Sequence, residues 1–374
     1  MVLFMTGPLA GISGGDVHAL RMAQFCSADG LVDVIAPTIV SKIIPDNFGI
    51  QILSPKILWE EHFSNLVANS LYMIARAFRY SLKAPSAEVA IAASHLTPDV
   101  FCCTLHHVLR RSQMVVYVHH LVTLAGRHDS IRSRISKMLE STSLYLARRF
   151  SAIIFTVDSS VQPELIRRGF HTDLVHLTEN AYEPLVEMPK RTNDPKHPTV
   201  VYCGRLSEEK GIWDVLAVAQ RLRDSVPSAR IEMMGDGPMK SALIERISSE
   251  KIFNVRVRGF VSENEKWSLL RGADVFLAPS YEEGWGIAVG EALTAGLPTV
   301  AYALPAYRQF GDALVKVPIG DTSALGHAVV DLIVNLESKE AVMAQLANLA
   351  PLSWESILRK ERLVIQDAVR SEGQ

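Results

Sequence analysis

Short runs of apolar residues alternate with longer amphipathic stretches along almost the whole chain. In the first half, the apolar runs predict strands at residues 2–5, 32–36, 100–103, 115–118, 152–156 and 173–177. Apolar positions at helical spacing predict helices near residues 16–26, 63–82, 131–149 and 163–168. Because strands that alternate with helices form βαβ units, the pattern predicts a parallel sheet.

The pattern is interrupted once and then starts again. Residues 183–198 hold four prolines and many charges, which is typical of an interdomain linker. Beyond this segment the pattern predicts strands at 199–202, 230–234, 255–258, 275–278 and 299–302, and helices at 213–225, 239–250, 263–271, 287–295, 324–336 and 354–369. We therefore expect an α/β protein with two Rossmann-like domains facing a central cleft. Their expected bounds are 1–185 and 198–352, with a linker at 186–197, and ligands should bind at the C-terminal ends of the strands.

Composition argues against several classes of protein. The formal net charge of −2 over 374 residues argues against a nucleic-acid binder, which usually carries a basic excess. Four cysteines without metal or disulfide spacing fit a reducing, cytoplasmic setting, and we interpret Cys102 and Cys103 as small core residues. The first residues lack the basic start of a signal peptide, and no apolar run reaches the roughly 18 residues of a membrane span. Any membrane contact is therefore expected to be peripheral.

One part of the chain departs from this overall balance of charge. Between Arg76 and Arg149 there are eleven basic and four acidic residues, an excess of seven positive charges. Solvated helix faces explain such an excess in many proteins. The alternative is a surface that meets anionic lipid or a phosphate-bearing acceptor.

Two glutamates, Glu283 and Glu291, flank a glycine-containing turn that leads into a predicted helix. Glycines allow close approach of backbone to a ligand, and the first turn of a helix presents unpaired N–H groups to anions. Carboxylates on either side can accept hydrogen bonds from hydroxyl groups. The helix dipole alone would explain Glu283, but Glu291 lies inside an apolar helix and therefore needs a partner. The combination suggests a site for a nucleoside diphosphate joined to a sugar.

Three further segments follow strands of the second half. Arg205 and Lys210 flank a turn where cations can bind a diphosphate. Residues 235–238 form a turn, but Lys240 stands where a dinucleotide fingerprint has its third glycine, which argues against NAD. Residues 257–261 end a strand whose backbone could face a base edge. Taken singly, each segment is also explained as an ordinary turn.

Together, residues 199–330 resemble the retaining glycosyltransferases of GT-B fold in family 4. The motifs that carry the resemblance are G-R-L-x-x-E-K-G, G-D-G-P, P-S-x-x-E-G-x-G and E-A-x-x-x-G-x-P. The first half resembles the family only weakly, through residues 14–18 and 117–120. The resemblance implies transfer of a sugar from a nucleotide sugar to an acceptor, and a last helix, 354–374, that packs back on the first domain.

The resemblance also implies roles for individual residues. Glu283, His119, Arg205 and Lys210 are the implied catalytic residues, with His119 favoured over His120 near sugar and acceptor. Glu283 would contact the donor sugar, Glu291 the ribose, and Arg205 with Lys210 the diphosphate. The implied donor site comprises Gly14, Gly15, Arg205, Lys210, Gly235, Asp236, Gly259, Phe260, Glu283, Gly284, Trp285, Gly286, Ile287, Ala288 and Glu291.

Several features keep the reaction's details open. Trp285 replaces the usual phenylalanine, and residues 303–307 stand where the family often has a Gly-Gly turn, which leaves the sugar undefined. The chain contains no D-x-D motif, so we expect metal-independent transfer and no cofactor. A UDP-sugar is favoured over a GDP-sugar, and the acceptor is a glycan, a lipid-linked molecule or a small molecule. A nucleotide-sugar epimerase-like enzyme and an inactive binding subunit are the alternatives. We expect a cytoplasmic protein, with peripheral contact at the inner face of an anionic membrane as an open hypothesis.

Overall fold

The computed structural model describes most of the chain. The described residues are 1–6, 14–28, 30, 32–38, 40, 50–55, 66–121, 131–150, 152–181, 190, 192, 194, 196–349 and 353–372. They form two compact units, Met1–Asn180 together with Trp354–Gln374, and Ala181–Ser353. Residues 7–13 and most of the expected linker at 186–197 lie outside the described residues.

The N-terminal unit contains a seven-stranded sheet. Its strands are β1 (Val2–Phe4), β2 (Asp33–Ile35), β3 (Gln51–Leu53), β4 (Val89–Ala92), β5 (Gln113–Tyr117), β6 (Ile153–Thr156) and β7 (Val175–Leu177). Their order is β3-β2-β1-β4-β5-β6-β7, and all neighbours are parallel. The helices up to β7 are α1 (Gly14–Ser27), α2 (Leu66–Lys83), α3 (Thr97–Arg110), α4 (Ile131–Arg149) and α5 (Val161–Arg167). The strand order reverses between β1 and β4.

The second unit contains a six-stranded sheet of the same kind. Its strands are β8 (Thr199–Cys203), β9 (Arg230–Met234), β10 (Val255–Gly259), β11 (Val275–Ala278), β12 (Thr299–Tyr302) and β13 (Val315–Val317). The order is β10-β9-β8-β11-β12-β13, again all parallel. Its helices are α6 (Ile212–Ser225), α7 (Lys240–Ser249), α8 (Glu263–Gly272), α9 (Ile287–Thr294), α10 (Thr322–Val334) and α11 (Leu336–Ala347). Here the order reverses between β8 and β11, and such a reversal is where open α/β sheets bind ligands.

The predicted strand at 100–103 is wrong, because these residues lie within α3. A run of four apolar residues fits a buried strand as well as a buried helix face. Pro98 lies in the first turn of α3, where its missing N–H group removes no hydrogen bond. Val100, Cys102 and Cys103 are buried in the core, as expected of the cysteines. The strands β3, β4 and β13 and the helix α11 were not predicted.

The last helix, α12 (Trp354–Glu372), belongs to the N-terminal unit. Its buried Glu361 accepts hydrogen bonds from His18 Nε2 at 2.9 Å and from the Tyr117 hydroxyl at 2.6 Å. The Thr178 hydroxyl donates to the same carboxylate. This one side chain therefore joins α12 to α1, to β5 and to the end of β7.

His18 is held between two oxygen atoms. Its Nδ1 faces the side-chain oxygen of Asn180, and its Nε2 faces Glu361. Only the protonated ring can donate a hydrogen bond at both nitrogens. Burial lowers the pKa of His18, but the Glu361 carboxylate and the two hydrogen bonds outweigh burial, and the pKa is raised above 6.5.

Removing the Glu361 carboxylate should destabilise the N-terminal unit. Glu361→Ala leaves His18 and the Tyr117 hydroxyl buried without their acceptor, so we expect its unfolding free energy to fall by about 3 kcal/mol or more. Urea denaturation measures this change. The control is Glu355→Ala in the same helix. The side chains of Glu355 and of its partner Arg359 are each 67% exposed. The control should lose less than about 1 kcal/mol. Equal losses in the two variants would contradict this account of Glu361.

The raised pKa of His18 predicts how stability depends on pH. Because the folded state binds this proton more tightly, its stabilisation is complete below the unfolded pKa of 6.5 and is lost as pH rises through the folded pKa. We expect the unfolding free energy of the N-terminal unit to decrease above about pH 6.5. Subtracting the pH profile of His18→Gln from that of the wild type isolates the effect. Parallel profiles would show that His18 is not charged in the folded protein.

Candidate functional site

Three loops of the second unit meet at the reversal between β8 and β11. A Cβ atom on Gly211 would lie 1.9 Å from the carbonyl oxygen of Pro279, and one on Gly235 would lie 1.9 Å from that of Gly204. Both glycines have positive φ, at 66° and 136°. Glycine at these two positions therefore lets the loops after β8, β9 and β11 touch through their backbones.

Lys210 and Glu283 form an ion pair at this point. Lys210 Nζ lies 2.7 Å from Glu283 Oε1 and 3.1 Å from the Glu282 carbonyl oxygen. The Ser280 hydroxyl donates to the same Glu283 oxygen at 2.9 Å. Both charged side chains remain about a fifth exposed, at 23% and 21%. The two residues were expected at one site, but their direct pairing was not foreseen.

Arg205 lies beside this pair in sequence and is exposed. Its carbonyl accepts a hydrogen bond from the Tyr202 hydroxyl at 2.9 Å, which fixes the backbone. Within the part of the chain that the structure describes, the Arg205 guanidinium forms no ion pair or hydrogen bond. Its positive charge at the C-terminal end of β8 is therefore available to an anionic ligand.

Helix α9 begins directly after Gly286, which has φ 88° and provides no side-chain cap. The amides of Ile287 and Ala288 lie in its first turn, where helical N–H groups have no acceptor within the helix. The first turn contains no acidic residue. This helix start therefore offers unpaired donors and a positive dipole end to an anion.

The loop at 303–307 continues into a 3₁₀ helix, Pro305–Phe310. Tyr307 is fully buried, and a Cβ on Gly286 would lie 2.5 Å from its ring. The ring of Trp285 packs edge-on against the ring of Phe310, with 5.3 Å between the ring centres. The backbone carbonyl of Trp285 accepts a hydrogen bond from the Gln309 side chain. This aromatic packing holds the glycine turn in place. It comes from the loop in which the family that the sequence resembles often has a Gly-Gly turn.

Glu291 does have a partner, and it is Lys266 of α8. Lys266 Nζ lies 2.7 Å from Glu291 Oε1 and 2.8 Å from Glu263 Oε1. Burial raises the pKa of Glu291, and the Lys266 charge partly opposes this. Burial lowers the pKa of Lys266, but the two carboxylates outweigh it, and that pKa is raised. Sequence reasoning missed Lys266 because it lies on a different helix, with no motif that links it to Glu291.

Most of the remaining expected donor residues of this unit lie on the β9 and β10 side. Asp236 accepts from Lys240 Nζ at 2.7 Å and from the Gly237 amide at 2.8 Å. Gly259 ends β10 with φ 75°, and the next residue, Phe260, is 60% exposed. Gly284 lies in the turn before α9. The expected residues of the second unit therefore share the C-terminal edge of its sheet.

In the N-terminal unit, the structure brings Gly15 and His119 together. A Cβ on Gly15 would lie 2.4 Å from the His119 ring, and Gly14 is the first residue of α1. His119 Nε2 lies 3.0 Å from the Ala93 carbonyl oxygen, so Nε2 carries a proton. Burial, with the neighbouring His18, lowers the pKa of His119 to about 3, and the ring is neutral. His120 is exposed, with its ring 5.7 Å from that of His95.

Breaking the Lys266–Glu291 pair should destabilise the second unit. Lys266→Met leaves Glu291 buried without its counter-charge, at an expected loss of about 3 kcal/mol in unfolding free energy. Adding Glu291→Leu should recover part of that loss, because an apolar pair needs no counter-charge. Chemical denaturation of the single and double variants measures this coupling. Lys240→Met, which breaks the more exposed pair with Asp236, is the control and should lose less than about 1 kcal/mol. A loss of unfolding free energy in Lys266→Met no larger than the loss in Lys240→Met would argue against the pair.

Comparison with known proteins gives a family match for part of the chain and a fold for nearly all of it. Residues 186–324 match the family model described as "Glycosyl transferases group 1". A glycogen synthase of Mycobacterium tuberculosis is 26% identical over 277 residues, which are 70% of this chain and 64% of the relative, slightly less than two thirds. A 2-deoxystreptamine N-acetyl-D-glucosaminyltransferase of Niallia circulans is 32% identical over 142 residues, 37% of this chain and 36% of the relative.

Solved structures resemble the chain over nearly its full length. WaaG, a glycosyltransferase of lipopolysaccharide biosynthesis, superposes with a TM-score of 0.72 at 14% identity and covers 98% of this chain and 99% of its own. HepE of Anabaena, in complex with UDP and glucose, superposes with a TM-score of 0.68 at 13% identity, covering 100% and 99%. With its two parallel sheets the chain has the GT-B fold, and its residues 186–324 match the model of the group 1 glycosyl transferases.

Proposed function

We propose that this protein is a glycosyltransferase that moves a sugar from a nucleoside diphosphate sugar to an acceptor hydroxyl. One observation carries the proposal: the reversal between β8 and β11 places the available Arg205 charge, the uncapped start of α9 and the Lys210–Glu283 pair at one edge. Cations and helix amides suit a diphosphate, and a carboxylate suits sugar hydroxyls.

The pairing of Lys210 with Glu283 adds a step to this proposal. When the donor binds, its diphosphate competes with Glu283 for Lys210, because both are anions within reach of one ammonium group. Glu283 is then released to accept hydrogen bonds from the transferred sugar. The charge that develops on the departing diphosphate is stabilised by Arg205, Lys210 and the amides of Ile287 and Ala288, which are already in position.

The ribose is assigned to Glu291. Lys266 occupies one of its carboxylate oxygens, Oε1, and holds the side chain in one orientation. The second oxygen is left to accept from the ribose hydroxyls. Lys266 therefore acts as a positioning residue for Glu291.

We propose metal-independent transfer with retention of configuration, as the family resemblance and the lack of a D-x-D motif suggest. The bond between the anomeric carbon and the diphosphate oxygen breaks as the acceptor oxygen bonds to the same face of that carbon. The acceptor proton passes to the leaving phosphate oxygen. His119 is neutral, so it can contact sugar or acceptor without a charge of its own.

Neighbours support UDP as the nucleotide, with GDP as the second candidate. HepE has been solved with UDP-glucose, and another structural neighbour, TarM, with UDP. Names of relatives include glycogen, 2-deoxystreptamine and phosphatidyl-myo-inositol, which supports a glycan, small-molecule or lipid-linked acceptor. We propose a cytoplasmic location, because the four cysteines show no disulfide spacing.

A nucleotide-sugar screen tests this function. A donor present at 100 times its Kd should stabilise the folded protein by about 2.7 kcal/mol, seen as a raised melting temperature. With that donor, product analysis should show transfer to an acceptor, or slow hydrolysis without one. An epimerised sugar would identify an epimerase-like enzyme. A donor that binds and stays intact with every acceptor would identify an inactive binding subunit.

Lys210→Ala tests the assigned site. We expect kcat/KM to fall at least 100-fold, because one preorganised donor to the leaving group is removed, while the protein stays folded. The control Lys316→Ala removes an exposed lysine from β13 and should retain the wild-type rate. Wild-type turnover by folded Lys210→Ala would overturn the assignment.

A further inference from the structure

We propose that the N-terminal unit docks on an anionic lipid bilayer through one basic-apolar surface, formed by the exposed side chains of residues 78–83, 108–111 and 138–149. This inference does not depend on the transfer reaction. It identifies the cations of the basic stretch that are exposed and the apolar side chains that are exposed beside them.

Helix α2 supplies a face that is both apolar and basic. Its described exposed residues fall at 75, 78, 79, 82 and 83, the spacing of one helical face. Phe78 is 49% exposed and Leu82 51%, and Arg79 and Lys83 follow them directly. The opposite face, with Ala77 and Tyr80, is buried in the core. Two large apolar side chains are therefore presented outward, each beside a cation.

Helices α3 and α4 repeat this arrangement. Helix α3 packs between α2 and α4. Its last turn exposes Val108 by 56% and Leu109 by 53%, directly before Arg110 and Arg111. Helix α4 exposes Met138 by 60% and Tyr145 by 56%, followed by Arg148 and Arg149.

The topology brings most of these side chains to one edge. The helices α2, α3 and α4 precede the parallel strands β4, β5 and β6, so their C-terminal ends lie at the edge where the strands begin. Gly15 and His119 lie at the other edge, where strands end. A bilayer held by the basic-apolar surface would therefore leave the neighbourhood of His119 uncovered.

Burial removes most of the negative charge from this region. Within residues 66–121 and 131–150 the acids are Glu88, Asp99 and Glu140. Asp99 and Glu140 are each 1% exposed. Asp99 accepts hydrogen bonds from Thr6, and Glu140 pairs with His95. Glu88 is the one exposed acid in these ranges, whereas Arg79, Lys83, Arg110, Arg111, Arg148 and Arg149 are all exposed, so the outer surface is basic.

Helix electrostatics alone does not explain the surface. Cations near a helix C-terminus gain about 0.3–1 kcal/mol from the dipole, which accounts for the arginines and lysines. It gives no reason for Phe78, Leu82, Val108 and Leu109 to face solvent beside them. A bilayer interface accounts for both, because apolar side chains enter the headgroup boundary while cations attract anionic lipid.

A groove beside α4 adds a place for a phosphate headgroup. Its volume is about 310 Å³, and its lining includes Tyr145 and Arg148, together with Arg168, which is already paired with Glu164 at 2.7 Å. The Arg148 guanidinium donates to the Arg168 carbonyl oxygen at 2.8 Å, which positions it there.

No helix in the described part of the chain is long and apolar enough to cross a bilayer.

Vesicle co-sedimentation of the full chain, without donor or acceptor, tests the proposal. In about 0.1 M salt the protein should bind to phosphatidylcholine vesicles containing about 30% phosphatidylglycerol. It should bind far less to vesicles of pure phosphatidylcholine. The double variant Arg79→Gln with Lys83→Gln should bind about 30-fold more weakly, because each cation near the surface contributes about 1 kcal/mol of binding free energy. Phe78→Ser with Leu82→Ser should weaken it at least tenfold.

The control is Arg223→Gln with Arg256→Gln, which removes two exposed cations from the second unit and should leave binding unchanged. Circular dichroism confirms that each variant is folded. Equal binding to both kinds of vesicle would overturn the proposal. So would loss of binding in the glutamine pair with none in the serine pair, since that result describes a general polyanion surface rather than a bilayer site.

Discussion

Parallel pairing of every strand is the constraint on which the rest of this structure depends. Parallel strands need a helical crossover, so all their carboxyl ends collect at one edge of each sheet. The order reverses between β8 and β11, and the loops that follow these two strands come together at that edge. Gly211 and Gly235 then allow backbone contact that no larger residue permits. The arrangement of charges around Arg205 follows from this geometry.

The second unit was more readily predicted from sequence than the first. Its strands at Arg230–Met234, Val275–Ala278 and Thr299–Tyr302 were located at their observed bounds, because each is a short run of mainly apolar residues between turn residues. The error at 100–103 arose where helix α3 buries two adjacent cysteines and a valine, so that a helix face looks like a strand. Lys266 and Glu361 were beyond prediction, since each acts on residues far away in sequence, and only the folded chain brings them together.

Several buried carboxylates in the described part of the chain are paired with other side chains. Glu291 is paired with Lys266, Glu140 with His95, and Glu361 with His18. Such pairs contribute less net stability than their short distances suggest, because desolvation of both charges offsets the attraction. Their main effect is on geometry: each allows one orientation of the carboxylate. For Glu291 this matters most, since a ligand would meet an oxygen that is already oriented.

The position of α12 has a consequence for how the chain folds during synthesis. The partners of Glu361, His18 and Tyr117, precede it in the chain by 343 and 244 residues. The N-terminal unit therefore cannot make these contacts until α12 has been synthesised, whereas residues 181–353 are continuous and can fold before it. A nascent chain would carry an incomplete N-terminal unit until α12 has emerged. Loss of α12 would then affect the half of the protein made first.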